Sequence, residues 1–217
     1  SVKVQGKEAL ARFEETAKAV DAPCDINLMQ GTSDELPYAF ASAARLADLA
    51  ILGQPRDGDP LVGQYALVER CLFASGRPVL IVPASGGQLE RGGTIVVAWD
   101  GSAEAARASG DALPFLKEAA RVVLLSCVRD GSSQDSAPSV EGIVAHLCRH
   151  GVRAEARKAA VSEGGDIGRH LLRQSKDFGA DMIVMGAFHH SRWREFILGG
   201  VTLTMLEEAA IPLFMAH

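Results

Sequence analysis

From residue 93 onwards the sequence alternates short apolar runs with segments of helical period, and this alternation limits the available folds more than any other feature. The runs TIVVAWD, RVVLLSCV, RAEARKAAV, DMIVMG and PLFMA read as strands, with helices predicted at 104–119, 140–150, 166–178 and 201–209. Strands that are mostly apolar along their length must be covered on both faces. Joined through helices, they predict a parallel sheet wrapped on two sides. Residues 93–217 therefore read as a complete five-stranded α/β domain.

The first 84 residues repeat the later part of that pattern: helix ALARFEETAKAV, strand CDINLMQG, helix LPYAFASAARLA, strand DLAILG, helix LVERCLFAS and strand PVLIVP. The spacing can be counted. Asp48 to Gly53 is 5 positions, as is Asp181 to Gly186, and Gly53 to Pro78 is 25 against 26 for Gly186 to Pro212. The predicted fold class is thus α/β with two doubly wound parallel-sheet domains, 1–84 and 93–217, joined by a Gly-rich linker at 85–92. The first copy has no equivalent of TIVVAWDGS, of the helix after it, or of RVVLLSCV. A doubly wound sheet without its central strand leaves backbone groups unpaired in the core, so the expectation is that roughly 60 residues of the natural chain are absent from this sequence.

Composition narrows the function classes. A net charge of −5 without a strong basic stretch argues against a nucleic-acid binder, whose affinity rests on neutralising phosphates. No run approaches the roughly 18 apolar residues needed to span a bilayer, and SVKVQGKEALARFEE is too polar for a signal peptide, so a cytoplasmic protein without membrane contact is expected. Cys24, Cys71, Cys127 and Cys148 form no C-x-x-C pair, and neither a disulfide nor a metal site is expected. His189 and His190 are adjacent loop residues with no thiol or carboxylate at ligand spacing. His146 and His150 share a helix face at i, i+4, but without an H-E-x-x-H motif the segment reads as an amphipathic surface helix.

Strand TIVVAWD ends in Asp100-Gly101-Ser102 and strand DMIVMG in Gly186. If the two are neighbours where strand order reverses, their C-terminal ends face one crevice, the usual ligand position in an open α/β sheet. Twelve residues separate Gly186 from Gly199-Gly200, which open the helix VTLTMLEEAA; the N–H groups and dipole of a helix start suit a phosphate or another anion.

With these residues the chain resembles the universal stress protein family in its tandem two-domain form, over all of 93–217 and most of 1–84. Members carry an Asp at the end of the first strand and a G-x2-G-x9-G-[S/T] loop after the fourth that holds ATP. The resemblance implies adenine-nucleotide binding by Asp100 on the adenine side, with Gly186 as the first loop glycine and Gly199 as the third. His189 stands in place of the second glycine and Gly200 in place of the Ser or Thr. If the second glycine serves a positive φ or close phosphate approach, His189 costs about 1 kcal/mol or more. The missing hydroxyl at 200 removes one hydrogen bond, about 0.5–1.5 kcal/mol. Thr202 supplies a hydroxyl two residues later, and Arg192 and Arg194 lie in the loop.

Asp100 and Ser102 also suit a turn and a helix N-cap with no ligand. In the first copy, acidic Asp57 and Asp59 follow Gly53 and no glycine pair opens the next helix, so that half reads as structural. No G-x-S-x-G, Walker or G-x-G-x-x-G motif is present and no catalytic residue is assigned. Three readings stay open: a stress-response protein with weak adenine-nucleotide or anion binding in the second domain, a ligand-free dimeric adapter, and a slow ATP hydrolase. The resemblance further implies antiparallel pairing of the two last strands, PVLIVP against IPLFMA, as a pseudo-dimer within the chain; a homodimer and other protein partners are left open.

Overall fold

In the computed structural model, residues 2–55, 64–83, 85–86, 92–129, 139–162, 164–187 and 200–217 are described. Two compact units are found, Ser1–Thr32 and Ser33–His217. The smaller contains helix α1 (Val2–Ala19), closed by the positive φ of Asp21 and a bond from the Ala22 amide to the Ala17 carbonyl at 2.9 Å.

The larger unit is a seven-stranded sheet with helices on both faces. Its elements in chain order are α2 (Glu35–Ala44), β1 (Ala50–Gly53), α3 (Gln64–Ala74), β2 (Val79–Val82), β3 (Thr94–Ala98), α4 (Ala103–Asp111), α5 (Leu113–Glu118), β4 (Arg121–Arg129), α6 (Val140–Arg149), β5 (Ala154–Val161), α7 (Ile167–Asp177), β6 (Met182–Gly186), α8 (Gly200–Glu208) and β7 (Leu213–Ala216). Strand order is β1-β2-β7-β6-β3-β4-β5. The strands from β3 to β7 are all parallel, as continuous apolar runs joined through helices require. β1 and β2 are also parallel to each other.

One junction differs. β2 pairs with β7 antiparallel, with Leu80 opposite Phe214 at the centre and Val79–Met215 and Ile81–Leu213 on either side. Both strands are buried almost completely, with Phe214 and Met215 at most 1% exposed, because pairing removes the free edge that each would otherwise present. Alternation along these strands feeds two cores. Val79, Ile81, Leu213 and Met215 join α2, α3, α7 and α8, whereas Leu80 and Phe214 join α4, α5 and α6.

Two sequence expectations need correction. The run CDINLMQG forms no strand, so 1–84 contributes two strands rather than three. Its counterpart β5 is paired to β4, and the first 84 residues contain nothing equivalent to β4, so CDINLMQG lacks a neighbour to supply ladder hydrogen bonds. The helix expected at 104–119 is two helices, because Ala112 ends α4 and Pro114 opens α5 in the first turn, where proline needs no amide. The antiparallel pairing expected between PVLIVP and IPLFMA is present as β2 against β7, and it makes the strands of both copies one sheet.

Candidate functional site

β3 and β6 lie side by side and parallel, with Ile95 opposite Met182 and Val97 opposite Val184. From β3 the chain moves outward to β4 and β5, then crosses back to β6 on the other side, so strand order reverses between β3 and β6. Asp181 fixes this register at the opposite end: its carboxylate accepts from the Thr94 amide at 2.7 Å, and its own amide donates to the Thr94 carbonyl at 2.8 Å. The C-terminal ends of both strands, carrying Asp100 and Gly186, therefore lie side by side at one end of the sheet.

Asp100 is exposed, and its Oδ1 accepts from the Ser102 amide at 3.0 Å. Gly101 takes φ +80°, which suits glycine, and the Ser102 hydroxyl then accepts from the Ala105 amide at 3.0 Å as the N-cap of α4. Sequence and local chemistry together thus explain why α4 starts where it does. They also account for one Asp100 oxygen without a ligand.

Gly186 has a steric reason to be glycine. A Cβ built there would stand 2.5 Å from the Ala105 nitrogen and 2.7 Å from the Glu104 carbonyl carbon. The first turn of α4 therefore rests directly on the end of β6. No sequence pattern announces this contact, since it arises from a crossover of about 80 residues and not from any local spacing.

Gly200 begins α8 and is exposed, and a Cβ there meets nothing within 4 Å. Thr202, by contrast, is only 4% exposed and belongs to the packed part of α8. Gly199, His189, Arg192 and Arg194 lie outside the described residues. Of the sequence-derived set, Asp100 and Gly186 are thus brought to the same end of two adjacent strands, Gly200 opens the following helix, and Thr202 is turned into the packing.

Ala187 and His217, which sequence reasoning missed, border this region. Ala187, next after Gly186, is fully buried; its amide donates to the Ala216 carbonyl at 2.9 Å, and its carbonyl accepts from Nδ1 of His217 at 2.9 Å. The His217 ring packs against Phe73 of α3 with centroids 4.2 Å apart. Only the β6–β7 register, Gly186 opposite Ala216, reveals that 217 must lie beside 187. At the opposite end of the sheet, because β1 and β2 run antiparallel to β7, Gln54 donates through Nε2 to the carbonyls of Leu206 and Ala209, both at 3.0 Å, and so caps the last turn of α8.

Among the described residues no group of three or more His, Cys, Asp or Glu could hold a metal ion, and no helix is long and apolar enough to cross a membrane.

A comparison with curated proteins returns no match. Among solved structures, a universal stress protein from Archaeoglobus fulgidus DSM 4304 superposes with a TM-score of 0.73 at 16% identity, covering 99% of this chain and 76% of that one. A protein of unknown function from Pseudomonas aeruginosa PAO1 gives a TM-score of 0.61 at 15% identity, covering 97% and 77%. A putative universal stress protein from Pseudomonas aeruginosa UCBPP-PA14 gives 0.61 at 16%, with the same coverage of 97% and 77%. At such identities the likeness concerns the fold. Residues 93–217, more than half of the chain, match the universal stress protein family directly. The chain belongs to the universal stress protein family.

Proposed function

We propose that this is a stress-response protein of universal stress type whose crevice between β3 and β6 takes an adenine nucleotide or another small anion with weak affinity. The observation that supports this reading is the adjacency of the two strand ends at the reversal of strand order, the usual ligand position in an open α/β sheet, with the exposed Asp100 on one and Gly186 on the other. The exposed start of α8 at Gly200 adds a helix N-terminus suited to phosphate. In this reading residues 1–84 are a degenerate repeat without a nucleotide site, and the β2–β7 pair makes the chain a pseudo-dimer in the cytoplasm.

Titration calorimetry with ATP on the intact chain tests it. Weak binding at a single site is expected, and the double variant His189→Gly/Gly200→Ser should bind more tightly. Among the described residues no atom stands within 4 Å of a Cβ built at Gly200. No ATP binding by either protein would overturn the reading.

A ligand-free adapter is the second reading, favoured by a specific observation. The bonds within Asp100-Gly101-Ser102 and the close approach of α4 to Gly186 give these residues purely structural reasons to be what they are. In that case the double variant gains nothing.

A further inference from the structure

On α6, well away from the crevice in the chain's topology, the structure brings together a pair of metal-ligating side chains that the proposed function does not use. His146 and His150 are both exposed and one turn apart, and their rings stand with centroids 4.8 Å apart and planes inclined by 60°. We propose that these two histidines form a surface chelate for a cupric ion, with water completing the coordination.

The distance is the first argument. Imidazole nitrogens bind transition metals at about 2.0–2.1 Å and the ring centre lies about 1 Å behind the nitrogen, so two rings bound cis have centres roughly 4.4–5.2 Å apart. The rings already stand within that range. Second, the helix beneath them is firmly held: Ser139 caps its start through the Gly142 amide at 3.0 Å, and Val140 and Leu147 anchor it in the core at 3% and 1% exposure. Little ordering of the backbone is left for the ion to impose. Third, the pair occupies the last turn, where the helix dipole favours a cation.

The number of ligands selects the metal. Zinc sites are completed by three or four protein ligands, and no group of three exists among the described residues. Cupric ion heads the affinity order for divalent first-row metals and accepts tetragonal sites made of nitrogen and water oxygen. A two-histidine chelate with water therefore fits copper better than zinc. An H-E-x-x-H motif would build a hydrolytic zinc centre, whereas simple chelation needs only the i, i+4 spacing that His146 and His150 have.

The test is cupric ion alone added to the full chain, followed by competition titration and electron paramagnetic resonance. One equivalent should give a tetragonal spectrum with splitting from two imidazole nitrogens. His146→Ala and His150→Ala should each weaken binding roughly tenfold or more, since each removes the gain of an intramolecular second ligand. Both positions are exposed, so circular dichroism should show the variants folded. The other four histidines are controlled by His189→Ala/His190→Ala, His170→Ala and His217→Ala, each of which should leave the first equivalent unchanged. If the double variant His146→Ala/His150→Ala retains the affinity and spectrum of the parent, the site lies elsewhere and the proposal fails.

Discussion

Replacing Gly186 by alanine separates a glycine kept for the fold from one kept for a ligand. The added Cβ would stand 2.5 Å from the Ala105 nitrogen, 2.7 Å from the Glu104 carbonyl carbon and 2.8 Å from the Glu104 Cβ, so its principal opponents are backbone atoms in the first turn of α4. Such atoms cannot rotate aside. Either the helix start lifts from β6 or the strand end retreats, and the register at Gly186–Ala216 loosens with it. Overpacking a closed site typically costs 1–3 kcal/mol, and the rigid partners here argue for the upper part, about 3 kcal/mol. For a chain of this size that corresponds to a fall in Tm of roughly 6–12 °C. Gly53, at the matching position of β1, supplies the control. Nothing stands within 4 Å of its Cβ, so Gly53→Ala should be neutral or stabilising by about 0.5 kcal/mol. Thermal and urea denaturation monitored by circular dichroism measure both. Equal Tm values for the parent and Gly186→Ala, with ATP affinity lost, would refute the steric argument and assign this glycine to the ligand.

Other substitutions probe the remaining contacts. Gln54→Ala removes the donor to the last carbonyls of α8 and should cost about 1–2 kcal/mol in urea denaturation; an unchanged midpoint would mean that water replaces the cap. With a thiol reagent at mildly alkaline pH, exposed Cys24 and Cys148 should react quickly, whereas Cys71 and Cys127, their thiols pushed up to about 11 by burial, should react only as the protein opens. Met215→Asp puts a carboxyl at a fully buried position of the β2–β7 pair and should destabilise by about 3–5 kcal/mol at neutral pH. Burial raises the folded-state pKa of that new carboxyl, so the loss should shrink as pH falls through that value towards about 4, relative to a Met215→Leu control; a loss independent of pH would show that the side chain escapes to water.

Much of the fold was legible because parallel strands buried on two faces leave an unmistakable trace: Val122–Leu125 and Met182–Met185 are at most 5% exposed over four consecutive residues. The antiparallel junction followed from the resemblance together with the apolar character of PVLIVP and IPLFMA. What failed was local reading of a segment whose structure depends on a partner. CDINLMQG has the composition of a strand, yet composition supplies no hydrogen-bonding neighbour. Ile51 shows the same dependence from inside the sheet. It points to the face that α4, α5 and α6 cover over the later strands, and among the described residues no helix covers it, so it is 59% exposed although its counterpart Val184 is fully buried.

The candidate site was legible in its address and less so in its meaning. Reasoning about strand order put the ends carrying Asp100 and Gly186 side by side, and β3 and β6 are adjacent and parallel; that a ligand lies between them belongs to the proposal. Their residue types, however, answer to two demands at once. An Asp-Gly-Ser turn satisfies the first amides of α4 with or without a nucleotide, and a glycine at 186 lets that same helix approach with or without a phosphate. Sequence motifs record that a residue type is required without recording by what. At Gly200 the two demands separate among the described residues: the position is exposed and a Cβ there would meet none of them within 4 Å, so their packing gives no reason for glycine, and a change of affinity on Gly200→Ser at unchanged stability reports on the ligand.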